Sequence, residues 1–140
     1  MARIQLTLPE TFAFTTKLPL RITDLNYGAH LGNDAVLGLL HEARMQFLQS
    51  IGYTELNIEG LGLLMADAAI EFKAEAFYGD VLVAEVTAGD FTRVGFDVWY
   101  RLRNEANNKI VVQAKTGMVC FDYGVKKLAS VPVAFAQRFQ

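Results

Sequence analysis

Apolar and polar positions change their period twice along this chain, and the changes outline one helix set among strands. Residues 12–18 mix apolar, polar and β-branched positions, which predicts a first strand. Pro19 and a stretch dense in Gly, Asn and Asp, from Asp24 to Asn33, bring it to an end. From Asp34 to Ile51 the period is helical. Val36, Leu37, Leu39, Leu40, Ala43, Phe47, Leu48 and Ile51 cover well over half of the helix circumference. A helix apolar on so many sides belongs in an interior. Asn33 or Asp34 is placed to cap its start, and Gly52 stands where a helix stop belongs.

Beyond Leu61 strand-like alternation takes over. In residues 68–75 the apolar side is Ile70, Phe72 and Ala74, and the polar side is Glu71, Lys73 and Glu75. Residues 81–87, 91–102 and 110–121 predict three further long strands. Turn signals at Tyr78-Gly79-Asp80, Gly89-Asp90 and Asn104–Asn108 separate them. Short connections between long consecutive strands imply antiparallel pairing. Residues 132–139 predict a short final turn of helix. The result is an α+β fold: a long antiparallel sheet wrapped around one central helix. Such a sheet covers the helix on one face, so the helix's other side or the open sheet edges call for a second subunit.

Composition sharpens this picture. At 140 residues the chain is expected to form one domain over 1–140. It is 52% hydrophobic with a mean hydropathy of +0.22, an apolar excess for which an oligomer interface is the simplest use. A net charge of −2 without any Lys/Arg run leaves no electrostatic footprint for nucleic acid. Arg3, Glu10 and Lys17 interrupt the first twenty residues, so no signal-peptide core is read there, and no apolar run approaches the ~18 residues of a membrane span. The single cysteine, Cys120, cannot form an internal disulfide, which fits a reducing cytoplasm, and it reads as a small buried hydrophobe in a strand. Two histidines and one cysteine argue against a structural zinc, and no metal site is expected.

The chemistry concentrates between Asp24 and Asp34. Eleven residues hold two carboxylates, His30, the amides Asn26 and Asn33, and glycines 28 and 32. A tight loop feeding a buried helix sets polar groups where backbone N–H groups and the helix dipole favour developing negative charge. That suits attack on a carbonyl. Backbone N–H groups from about Gly32 to Ala35 are positioned to stabilise an oxyanion, with Gly32 allowing close approach and an unusual dihedral.

Here the chain resembles the hotdog-fold acyl-CoA thioesterases, in the branch related to 4-hydroxybenzoyl-CoA thioesterase. That branch carries an Asp-x-Asp-x-x-Gly-His-Val-Asn-Asn-like loop before a helix ending in Glu-Ala-Arg. The corresponding text is Asp24-x-Asn26, then Gly28-Ala29-His30-Leu31-Gly32-Asn33, with Glu42-Ala43-Arg44 at the right distance. Ala76-Phe77-Tyr78-Gly79-Asp80-Val81-Leu82 looks like the family's turn into its next strand. The resemblance implies hydrolysis of an acyl or aryl thioester to free acid and coenzyme A, with the thioester as substrate and no other cofactor. It also implies a homodimer with a continuous sheet, pairs of dimers as homotetramers, and a substrate tunnel between subunits.

One position departs from the pattern. The family's acid stands four residues before the histidine, and here that residue is Asn26. An amide is no anionic base, although it can position water or donate to a carbonyl. Asp24 or Asp34 is then expected to supply the carboxylate, with Asn26, His30 and Asn33 as positioning groups. Asp24 would share the face of Asn26 in extended backbone, and Asp34 stands where the helix dipole favours a negative charge. Glu42, two turns on, falls near the face of Asp34 or pairs with Arg44 or a neighbouring subunit. Tyr27 flanks the acyl pocket or covers the loop; Asn33 orients the carbonyl or caps the helix; His41 is a packing or interface residue. Lys73, Arg93, Arg101 and Arg103 are candidates for the coenzyme A phosphates.

Three other functions fit parts of the sequence. Asn26 at the acid position would suit a non-hydrolytic acyl-CoA or acyl-thioester binding protein. A dehydratase or hydratase of the same fold would want its acid and histidine closer than Asp24 and His30. An interaction domain would use the apolar excess but leave the polar loop without a task.

Overall fold

The computed structural model describes residues 3–140. Its strands are β1 (Phe14–Pro19), β2 (Gly62–Phe72), β3 (Val81–Gly89), β4 (Gly95–Asn104), β5 (Ile110–Asp122) and the short β6 (Lys127–Leu128). They form one antiparallel sheet in the order β1-β3-β4-β5-β2, with β6 joined to the end of β5. The helix α1 (Asn33–Ser50) lies between β1 and β2 in sequence. The chain therefore leaves one edge of the sheet, crosses its buried face as α1 and returns at the opposite edge. A short helix α2 (Val133–Ala136) and a 3₁₀ turn close the end.

Alternation decides which face meets the helix. In β4, Phe96, Val98, Tyr100 and Leu102 are buried, while Asp97, Trp99, Arg101 and Arg103 stand half-buried on the other face. β5 repeats the pattern with Val112, Ala114, Met118 and Cys120 inward. Against them α1 buries Val36, Leu39, Leu40, Ala43, Phe47 and Leu48. At ~1.5–3 kcal/mol for each large side chain, this packing supplies roughly 10 kcal/mol before entropy is charged. That far exceeds the ~1 kcal/mol of a helix cap. The comparison matters because no side-chain cap exists: Gly32 is the N-cap residue, not Asn33 or Asp34. Gly52, with φ of +85°, ends the helix in the left-handed conformation that glycine tolerates.

The helix is not apolar all round in its surroundings. Leu37 is 44% exposed, Ile51 half-buried, and Asn33, Asp34, Gly38, His41 and Glu42 face solvent. Two strands also shift their bounds. The predicted 68–75 strand begins earlier, at Gly62, and stops at Phe72. The predicted 91–102 strand begins only at Gly95, because Thr92 and Gly95 close a turn on each other, with Thr92 N–H donating to Gly95 O at 2.8 Å. Phe72 is 51% exposed instead of inward, since β2 has only β5 beside it and lies at the sheet edge. Cys120 is buried in β5, where burial pushes its thiol up to about 11. No helix among the described residues is long and apolar enough to cross a membrane.

Candidate active site

The loop before α1 is a miniature hairpin. Leu25 and Leu31 bridge, and Asn26 N–H donates to His30 O at 2.8 Å. Asn26 Oδ1 accepts from the N–H groups of Gly28 (2.8 Å) and His30 (3.4 Å), so its carbonyl is spent on turning the loop. The one left-handed residue in the turn is Ala29, at φ +66°. Gly32 has an ordinary extended conformation (φ −79°, ψ 143°), correcting the expectation of an unusual dihedral there. Close approach does require glycine: a Cβ at position 32 would stand 2.6 Å from Asp34 Oδ1 and 3.4 Å from Asn26 Cβ.

Asp24 is buried beneath this loop and faces Arg21. It accepts from Arg21 N–H (2.8 Å), Nε–H (3.3 Å) and an Nη2–H (3.1 Å). Burial opposes its ionisation, but the hydrogen bonds and charge of Arg21 outweigh burial and hold the carboxyl below the usual carboxylate range. Asp24 O also accepts from Gly32 N–H at 3.0 Å, tying the loop to the helix start. Ala35 N–H is likewise occupied, by Gly32 O at 3.1 Å. Of the four expected oxyanion donors, the N–H groups of Asn33 and Asp34 therefore remain without an acceptor among the described residues.

A second strip of chain docks beside these donors. Leu31 N–H donates to Ala76 O at 2.7 Å, and His30 bridges to Phe77, whose ring lies edge-on to the imidazole at 6.4 Å. Between them opens a cavity of about 230 Å³. His30, Leu31, Asn33 and Val36 form one wall; Phe72, Lys73, Ala74 and Glu75 form the other; Val111 and Val112 lie between. This gathers His30 and Asn33 from the predicted set, and Lys73 from the candidates for phosphate contact.

Other candidates lie elsewhere. Asp24 is sealed against Arg21, and the exposed Asp34 is absent from the cavity wall. Tyr27 projects fully into solvent. Glu42 accepts from Gln46 Nε2 at 2.7 Å and lines a different hollow with Lys17 and Arg21. It does not pair with Arg44, which turns into the core. There Arg44 Nε donates to Glu55 Oε1 (2.6 Å) and Nη1 to Tyr100 Oη (3.0 Å), while Tyr100 Oη shares a hydrogen bond with Thr116 Oγ1 (2.7 Å). His41 lies 3.4 Å from the second oxygen of Glu55. Arg101 and Arg103 are engaged by Glu85 on the outer face of the sheet.

Residues 20–139 match the family model of the thioesterase-like superfamily. The chain belongs to that superfamily. Its fold is shared with the 1,4-dihydroxy-2-naphthoyl-CoA thioesterase of Synechocystis (24% identity, TM-score 0.79, 87% of this chain and 91% of that one). It is shared equally with a protein of Aquifex aeolicus (21% identity, TM-score 0.80, 91% and 99%). The DHNA-CoA thioesterase of Staphylococcus aureus is similar as well (15% identity, TM-score 0.73, 82% and 78%). Comparison with curated proteins finds no match. The hotdog architecture expected from the loop and helix motif is thus the one observed. The thioesterase-like loop carries Asn26 as a turn-forming residue, and the one carboxylate that lines the cavity at the start of α1 among the described residues, Glu75, is placed by the sequence only on the polar side of a strand. Its signal was weak: one of three polar residues alternating with Ile70, Phe72 and Ala74.

Proposed function

We propose that this protein hydrolyses an acyl-CoA thioester to free acid and coenzyme A at the cavity between the start of α1 and the end of β2. Membership of the thioesterase-like superfamily supports the reaction class. The observation that carries the site is the pair of unoccupied N–H groups at Asn33 and Asp34 beside a cavity rimmed by His30 and Asn33 and floored by valines. Two donors at a helix start, fixed before substrate arrives, suit the oxyanion of a tetrahedral intermediate. Asn33 and His30 hold polar groups beside the carbonyl, and Asp24 acts through Arg21 and Gly32 to hold the loop. Lys73, 45% exposed at the cavity mouth, is the cation best placed for an anionic part of the substrate.

The working unit in this reading is a homodimer in the cytoplasm. β2 is an edge strand 11 residues long that pairs only with β5, and it carries the exposed Leu64, Met65 and Phe72. A second copy along that edge would cover these side chains and the exposed apolar position Leu37 of α1. The lone buried thiol is consistent with a reducing compartment. The test is thiol release from a panel of acyl- and aryl-CoA thioesters, with mass determined in solution by light scattering. Hydrolysis of at least one thioester and a dimeric or larger mass are expected; no thiol release across the panel refutes the activity.

A further inference from the structure

The thioesterase reading leaves open which carboxylate works where the loop presents Asn26, and on that reading we propose that Glu75 is the catalytic general base. Among the described residues it is the one carboxylate lining the cavity. Its backbone is anchored on both sides. Lys73 and Ala74 N–H donate to Val111 O (2.8 and 3.4 Å), and Ala76 O accepts from Leu31 N–H (2.7 Å). The last of these bonds joins the strip carrying Glu75 directly to the loop carrying His30. Glu75 therefore faces the helix start from the opposite wall, held by the same ladder that fixes the oxyanion donors, while its exposed side chain is open to water. Asp24 and Glu42 lack this placement, being committed to Arg21 and Gln46.

The chemistry balances with this residue alone as base. Water oxygen bonds to the thioester carbonyl carbon as one of its protons passes to a Glu75 carboxylate oxygen. The carbonyl π pair moves onto oxygen, facing the N–H groups of Asn33 and Asp34. When that pair returns, the C–S bond breaks with its electrons on sulfur. Glu75 delivers the proton to the departing thiolate, leaving acid, thiol and the starting carboxylate.

The experiment compares Glu75→Gln, Glu75→Asp and Asp34→Asn with wild type on a thioester that wild type cleaves. Coenzyme A binding by calorimetry and thermal melting are measured alongside. Glu75→Gln should lower kcat by about 100-fold or more, the scale of lost general-base catalysis, with KM and coenzyme A binding little changed. Glu75→Asp should recover part of kcat, because the carboxylate is retained but withdrawn by one methylene. A Glu75→Gln enzyme that melts like wild type and keeps its kcat overturns the role while leaving the hydrolase reading intact, as does a loss of kcat confined to Asp34→Asn. A wild type inactive on the whole panel overturns the hydrolase reading and this role together.

Discussion

Two polar clusters hang from the same helix and differ in what their bonds are spent on. Near the middle of α1, Arg44 is buried and every strong donor or acceptor around it is matched within the protein: Glu55, Tyr100 and Thr116 form a closed network tying helix to sheet. Among the described residues no buried side-chain polar atom lacks a partner. At the start of α1 the arrangement is the reverse. Asp24 and Asn26 are satisfied and shape the loop, yet the Asn33 and Asp34 N–H groups are left without acceptors among the described residues, and Asn33 and Glu75 line a cavity. A closed network in low dielectric contributes to stability and specificity of packing, whereas unspent groups at an open rim contribute interactions to whatever enters. The helix thus separates support from chemistry along its length.

Mutations can test that separation, and the largest effect should come from the closed cluster. Arg44→Ala leaves Glu55 without its guanidinium and Tyr100 without a donor. Removing one partner of a buried pair costs ~3–5 kcal/mol, and the partial exposure of Glu55 points to about 3, read as a lowered urea midpoint with an unchanged slope. Tyr100→Phe keeps the ring's packing but strands Arg44 Nη1 and Thr116 Oγ1. It should cost about 1–2 kcal/mol in the same experiment. If either change altered thioester turnover as strongly as stability, the division between the clusters would fail.

The loop should respond more gently and with a pH signature. Asp24→Asn removes the charge that holds Arg21, lowering Tm by roughly 3 °C at neutral pH. The Asp24 carboxyl lies below its ordinary value in the fold, so its contribution is complete above the ordinary aspartate range. It is lost as pH falls through the depressed value. Melting curves of wild type and Asp24→Asn should therefore separate at neutral pH and converge in acid. A separation that persists in acid would mean that the charge is not what stabilises the loop. The smallest effect is a gain. Ala29 holds a left-handed conformation that glycine adopts without a Cβ penalty, so Ala29→Gly should raise stability by about 0.5 kcal/mol. A loss instead would show that the Ala29 methyl or loop rigidity offsets its backbone strain.

Much of this is legible in the amino-acid sequence. Periodicity located α1 to within one residue at each end, because its apolar positions recur at short spacing and Gly52 stops it. Asn26 could be flagged because its departure lies inside a compact motif. Glu75 could not. It sits on the polar side of an alternating segment, and only the bond between Leu31 and Ala76 brings that segment to the loop. The partners of Arg44 were hidden for the same reason. Glu42 is its neighbour in sequence, but Glu55 and Tyr100 are its neighbours in space.

By itself, then, the sequence determined what depends on local spacing: one helix among antiparallel strands, a polar loop at the helix start, and an amide where an acid is usual in the resembled family. The tertiary structure alone decided which groups are spent and which are free. Hydrogen bonds and burial are settled by residues far apart in the chain. They enclosed Asp24 and Arg44 in bonds of their own and left Glu75 open across the cavity from His30 and Asn33.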